Sequence, residues 1–338
     1  MIPKIIHYIW LGDKPLSDLV EQCIVSWKEH MPEWEYMEWT EASLTRVLNQ
    51  PIPGNVLRTT TGSPIEQSSS PVKGRTFEHP QKQSQEKRSW LDYMPVYVRQ
   101  AYEARKYAFV SDYVRLWALE QYGGVYLDTD VMVLKSYEPL LNDIAFIGLE
   151  ESKAHLPGTC VMGCEAHCQW AKDMLALYDD IVFVKSDGTL DLTTNVQRMG
   201  GVMMKELRDE GIKELKSERR NKSEEIKDNS ERVKELGGEG KMDNVSCMMC
   251  DVSKFKWWKE NQYINKWGLR IYTHDYFSPI TSTRVMRKTS NTYSIHYFAG
   301  SWMDGKHASG WRNWTIMREI VNALVQIKRW ICCILVKR

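Results

Sequence analysis

An α/β fold on a largely parallel sheet is what this sequence predicts, and three observations predict it. The chain opens as strand, helix, strand: an apolar run over 3–11, a helical period from Leu19 to Trp27, then the alternating Trp34-Glu35-Tyr36-Met37-Glu38-Trp39. A helical stretch from Pro95 to Tyr122 leads directly into a second apolar, β-branched run, Gly123 to Leu134. Short apolar runs at 139–148, 159–163, 269–272 and 293–298 add further strands. A strand–helix–strand opening of this length is a βαβ unit, whose strands run parallel.

Each element has its own signal. Gly12-Asp13 ends the first strand, and Ser17 or Asp18 caps the helix that follows. Its apolar face carries Leu19, Val20, Cys23, Ile24 and Trp27, and Pro32 stops it. Residues 49–90 are rich in Pro, Ser, Thr, Gln and Lys, so they read as a surface loop or disordered excursion from the fold. The period over 95–122 predicts two helices meeting near Lys106, with Gly123 as the stop. Trp170 to Tyr178 reads as another helix. In 205–241 acids and bases alternate at helical spacing, which is the pattern of a solvated helical excursion. Residues 315–338 form an amphipathic basic helix carrying Ile316, Ile320, Leu324, Ile327 and Ile331. Its tail, 330–338, suits an anionic membrane surface and packing against the body equally well. The expected organisation is one domain over 1–305, with insertions at 49–90 and 205–250, followed by the helix over 306–338.

Composition narrows the function. A formal net charge of +1 gives no broad footprint for nucleic acid. The 14 Trp and 16 Tyr suit carbohydrate or nucleotide stacking, though cores use the same rings. The first residues, Met1 to His7, show no secretory leader, and no run approaches the ~18 apolar residues of a membrane span. The expected location is therefore cytoplasmic, with peripheral placement on the inner face of the cytoplasmic membrane as the variant the tail allows. The eight cysteines are then expected to be reduced. Cys247 and Cys250 form a CxxC, and Cys160, Cys164 and Cys168 recur at steps of four, but no second compact pair completes a standard zinc module. Buried or idle thiols are the expectation. The sequons at Asn221, Asn244 and Asn313 matter only in a secretory compartment.

Two groups of residues carry chemistry. Within Gly123 to Leu134, a continuous strand would turn Asp128 and Asp130 to one face. Two acids there call for a cation, and a divalent ion prefers oxygen ligands. On the preceding helix Ala108, Asp112, Arg115 and Leu119 fall on one stripe, so a carboxylate and a guanidinium stand among apolar neighbours. A self-satisfied ion pair and a functional pair fit that stripe alike; its place directly upstream of the two acids favours function.

Three blocks of the chain resemble family 32 glycosyltransferases. They are Tyr107-Ala108-Phe109-Val110-Ser111-Asp112-Tyr113-Val114-Arg115-Leu116 with Tyr122-Gly123-Gly124-Val125-Tyr126-Leu127-Asp128-Thr129-Asp130, the N-terminal Ile2 to Gly12, and Ser294 to Trp302. That group includes a yeast initiating mannosyltransferase and bacterial capsular polysaccharide enzymes, and the catalytic domain of the large clostridial glucosylating toxins looks related. The resemblance implies a GT-A-type nucleotide-sugar-binding sandwich, with a mixed, mostly parallel sheet flanked by helices. It implies Mn2+ or Mg2+ held by Asp130, His296 and Asp128. Trp10 then stacks on the donor base, Asp112 and Arg115 contact donor sugar and phosphate, and Asp128 reaches ribose and sugar hydroxyls. Ser301 and Trp302 donate to the leaving phosphate, and Asn195 faces the sugar or acceptor. Asp128, Asp130 and Arg115 are the expected catalytic set. The implied reaction moves a hexose from UDP-hexose or GDP-mannose to a glycan or lipid-linked oligosaccharide, with retention of configuration.

Two other readings compete. Tyr-Leu-Asp-Thr-Asp-Val also resembles a haloacid-dehalogenase-like phosphatase strand, but Met132 stands where that family has Thr or Val, and its DxD lies near the N-terminus. A non-catalytic sugar-binding protein of the same fold would have no need for intact Asp112, Arg115, Asp128 and Asp130.

Overall fold

The computed structural model describes residues 1–50, 88–150, 157–210, 260–280 and 285–299. The helix expected over 315–338, Ser301 and Trp302, Cys247 and Cys250, and most of both expected insertions lie outside the described residues.

The opening βαβ unit forms as expected: β1 (Ile5–Ile9), α1 (Asp18–His30) and β2 (Glu35–Trp39), with β1 and β2 parallel and Ile5 opposite Glu35. Ser17 caps α1 by accepting from the Val20 N–H at 3.4 Å. Val20, Cys23, Ile24 and Trp27 are its buried face. A short helix, α2 (Glu41–Leu48), follows behind a Thr40–Ser43 capping box. Beyond it, Asn49 Nδ2 donates to the Arg88 carbonyl at 2.8 Å, so positions 49 and 88 meet. Trp90, placed inside the excursion by its sequence, is buried and packs edge-on against Tyr102 at 5.2 Å.

The stretch 95–122 breaks into α3 (Val96–Glu103) and α4 (Tyr107–Tyr122), with Lys106 at the junction. The strand after it departs from expectation. Gly123 to Leu134 is two strands, β3 (Gly124–Leu127) and β4 (Val131–Val133), in different sheets. The break is enforced from outside the run. The Asp128 N–H is taken by the Cys160 carbonyl at 2.8 Å, the Asp128 carbonyl turns to accept from Val131 N–H at 3.0 Å, and β4 pairs with a distant strand. The acids are therefore on a turn, not in mid-strand. The strand expected from 139 begins only at β5 (Ala145–Leu149), because Pro139 lies in a 3-10 turn.

The remaining elements are β6 (Pro157–Cys164), α5 (Gln169–Ala176), α6 (195–210), β7 (Gln262–Ile264), β8 (Leu269–Tyr272) and β9 (Ser294–His296). Seven strands form one sheet in the order β2-β1-β3-β6-β5-β8-β7, and β4 pairs with β9 alone. From the pairings, β2, β1, β3, β5 and β8 run one way and β6 and β7 the other, so the sheet is mixed but mostly parallel. Successive side chains of β3 split between two cores: Tyr126 joins the cluster with α3, α4 and α5, while Val125 and Leu127 join the one with α1. Helices thus cover both faces. Among the described residues, no helix is long and apolar enough to cross a membrane.

Candidate active site

The site lies where β3 ends, and the entry of β3 fixes its position. Gly123 closes α4 at φ +65°, and its N–H returns to the Leu119 carbonyl at 2.8 Å. Gly124 has φ +96°, and a Cβ there would stand 2.7 Å from the Ile5 carbonyl oxygen. β1 and β3 can approach only because no side chain intervenes. His7 of β1 locks the junction. Its Nδ1 accepts from Trp39 Nε1–H at 3.1 Å, so the ring proton is on Nε2, which faces the Gly123 carbonyl at 2.7 Å. Burial pushes the His7 pKa down to about 4, so the ring is neutral near pH 7.

On one side of the turn stands Arg115. Nε donates to the Ser111 carbonyl at 3.2 Å, Nη1 to the Thr159 carbonyl and Oγ1 at 3.0 and 3.2 Å, and Nη2 to Ser111 Oγ at 3.2 Å. The same head is 3.2 Å from Asp128 Oδ1 and 3.3 Å from Asp112 Oδ1. Its five N–H donors therefore all face groups of this chain. Tyr126 lies two residues before Asp128; its hydroxyl donates to Asp128 Oδ1 at 2.7 Å, and its ring lies 4.5 Å from the guanidinium. Burial opposes the charge of Arg115, but Asp128, Tyr126 and Asp112 outweigh it and raise its pKa. Burial dominates at Asp112 and raises its carboxyl pKa against the pull of Arg115. Asn195, at the start of α6, donates its backbone N–H to Asp112 Oδ2 at 3.0 Å and its amide to the Asp112 carbonyl at 3.2 Å. Its own oxygen accepts from the Tyr178 hydroxyl at 3.3 Å.

On the other side stands His296, which the β4–β9 pairing sets opposite Val131. Its Nε2 is 3.4 Å from Asp130 Oδ1 and 3.9 Å from Asp128 Oδ2. Asp130 Oδ2 accepts from the Ala299 N–H at 2.7 Å, and its carbonyl from the Tyr297 N–H at 3.1 Å. Burial opposes charge on His296, but Asp130 overrides it and holds the ring well above its ordinary pKa. In turn His296 and the Ala299 N–H overcome the burial of Asp130 and lower its pKa.

Asp128, Asp130 and His296 each offer a ligand atom, all within 4.8 Å of one another. Two carboxylates and one imidazole fit Mn2+ or Mg2+. Trp10 stands just past the end of β1; the β1–β3 register, with His7 opposite Tyr126, carries it to the same edge of the sheet as Asp128. It is half-buried, and its Nε1–H donates to the Lys14 carbonyl at 2.7 Å.

Of the residues the sequence points to, the fold brings Trp10, Asp112, Arg115, Asp128, Asp130, Asn195 and His296 to this edge, while Ser301 and Trp302 lie outside the described residues. The sequence misses Tyr126, Thr159, Glu150 and Cys160. Tyr126 could have been found, since two residues along a strand return to the same face. Thr159, Glu150 and Cys160 arrive from β5 and β6, and no spacing ties them to the acid pair.

Fold and site together define the class: an α/β domain with paired acids at the carboxyl edge of its sheet. Residues 17–147 match the family model described as "Glycosyltransferase sugar-binding region containing DXD motif". The match covers less than half of the chain. The matched range takes in Asp112, Arg115, Asp128 and Asp130, but not Trp10, Asn195 or His296. The chain is 24% identical over 149 residues to Inositol phosphoceramide mannosyltransferase 1 of Schizosaccharomyces pombe, covering 43% of this chain and 33% of that one. It therefore spans about a third of that relative's length. The solved structure "PaToxG Glycosyltransferase" aligns at 18% identity with a TM-score of 0.34, covering 52% of this chain and 60% of that one.

Proposed function

We propose that this protein is a metal-dependent hexosyltransferase that moves a sugar, with retention, from a nucleotide sugar to a glycan or lipid-borne saccharide. The observation that carries the reading is the convergence of Asp128, Asp130 and His296 donors within 4.8 Å, beside the Asp112–Arg115 pair. Asp112 and Asp128 accept hydrogen bonds from donor sugar and ribose hydroxyls. Arg115 holds both carboxylates in place and adds fixed positive charge close to the leaving diphosphate. Asn195 fixes Asp112 from its other side, and Trp10 offers an indole for the base. Asp130, His296 and Asp128 hold Mn2+ or Mg2+, which when bound supplies electrophilic stabilisation of the departing phosphate. By the family resemblance, Ser301 and Trp302 donate to that phosphate.

The relative's name denotes mannosyl transfer to inositol phosphoceramide. We take GDP-mannose as the first donor to test and a lipid-borne saccharide as the first acceptor class, ahead of capsular polysaccharide. The experiment is nucleoside diphosphate release from GDP-mannose, UDP-glucose and UDP-galactose with Mn2+, alongside thermal shift, since a true donor stabilises the folded state. Asp130→Asn is expected to lower Mn2+-dependent release by more than about a hundredfold while its far-UV circular dichroism stays unchanged. Undiminished turnover in that variant would sink the assignment.

A further inference from the structure

His296 has a second side. Nε2 faces Asp130, but Nδ1 is buried and makes no hydrogen bond within the described residues. The Glu150 carboxylate stands 3.7 Å from it, and the Cys160 thiol completes a second triad whose ligand atoms all lie within 4.8 Å of one another. A buried ring nitrogen left unpaired costs about 1–3 kcal/mol, so it needs an explanation.

The surroundings are shaped for this triad. Glu150 follows directly after β5, and its side chain lies across Gly158 of β6: a Cβ on Gly158 would meet Glu150 Cγ at 2.5 Å and Oε1 at 2.9 Å. Any other residue at 158 would push the carboxylate out. Cys160, two residues along β6, is buried, as is His296. Three elements distant in sequence therefore deliver one thiol, one carboxylate and one imidazole to one point.

We propose that Glu150, Cys160 and His296 Nδ1 form a binding site for a soft or borderline divalent cation of the Zn2+ class, separate from the oxygen-rich site on the Asp130 side. Thiolate with imidazole selects Zn2+ over Mg2+ or Mn2+, which prefer carboxylate oxygens. One thiolate and one carboxylate neutralise the ion's two charges, so a buried complex carries no net charge. Tetrahedral zinc holds its ligand atoms about 3.3–3.8 Å apart, so the Nδ1 to Glu150 separation of 3.7 Å already fits. Three protein ligands leave a fourth position to water, the mark of an exchangeable site. On binding, the Cys160 thiol proton is lost to solvent.

The two sites share one imidazole, and this sets their relation. A neutral ring has one lone pair, so coordination through Nδ1 leaves a proton on Nε2, directed at Asp130. Zinc on the Cys160 side and a hard cation on the Asp130 side therefore exclude each other, a consequence that rests on the Asp130-side metal reading.

The test uses the full chain freed of metal and titrated with Co2+ as an absorbing stand-in for Zn2+. A thiolate-to-cobalt charge-transfer band is expected. It is expected to persist in Asp130→Asn and in the double variant Cys247→Ser, Cys250→Ser, and to vanish in Cys160→Ser. Glu150→Gln, which preserves shape, is expected to weaken Zn2+ by more than about tenfold. Absence of the band, or its survival in Cys160→Ser, overturns the site. Mn2+ affinity, read by electron paramagnetic resonance, is expected to fall as Zn2+ is added to the native protein but not to Cys160→Ser. Equal Mn2+ binding with and without Zn2+ in the native protein overturns the exclusion. None of these readouts requires sugar transfer, so a failed donor screen leaves them intact.

Discussion

Arg115 shows how much of the site one side chain can hold together. It is 6% exposed and faces two carboxylates, a carbonyl pair and two hydroxyls, so its fork is fully used. Its role follows from that saturation: it holds the Asp112 and Asp128 carboxylates in place and aimed. Arg115→Met keeps the volume but leaves two partly desolvated carboxylates without their counter-charge. Removing one partner of a buried ion pair costs about 3–5 kcal/mol, and urea denaturation should show a loss of that size. A midpoint within experimental error of the native protein would reject the anchoring role. Asp128 and Asp130 are likewise unequal. Asp128 answers to Arg115 and Tyr126, whereas Asp130 answers to His296 and the Ala299 N–H.

At the scale of elements, the legible parts are those with local signals. Ser17, Pro32, Lys106 and Gly123 each mark a boundary that the structure keeps. The run from Gly123 to Leu134 misleads because its alternation continues through Val131 to Val133 while the break is made elsewhere, by the Cys160 carbonyl and by β9. No property of the run itself records partners that arrive from so far along the chain. Two glycines separate local from tertiary demand. Gly124→Ala puts a Cβ 2.7 Å from the Ile5 oxygen at a positive φ, and should cost at least about 1–3 kcal/mol. Gly201, in α6, has nothing described within 4 Å of an added Cβ, so Gly201→Ala should stabilise by about 0.5–1 kcal/mol. Denaturant midpoints moving in opposite directions check the pair; a shift of the same sign in both would refute it.

For the whole molecule, stability should depend on pH through a residue remote from the chemistry. Candidate residues such as Asp112, Arg115, Asp128 and Asp130 were legible because they stand within one short stretch, and His296 only through family resemblance. His7 carries no such signal, since a histidine in an apolar strand reads as ordinary core. Its Trp39 and Gly123 partners tie β1 to β2 and to the α4–β3 junction, so charging it disturbs the centre of the sheet. Burial lowers its pKa from 6.5 to about 4, so between those values the unfolded chain binds the proton and the folded protein does not. Stability from this group is therefore complete above pH 6.5 and is lost as pH falls towards 4. The loss across that window is about 2–3 kcal/mol. His7→Gln, which can still donate to the Gly123 carbonyl, should be less stable near pH 7 but should lose less on acidification by that amount. Denaturant melts of both proteins through the window measure the difference directly, and parallel curves would show that His7 is not the group responsible.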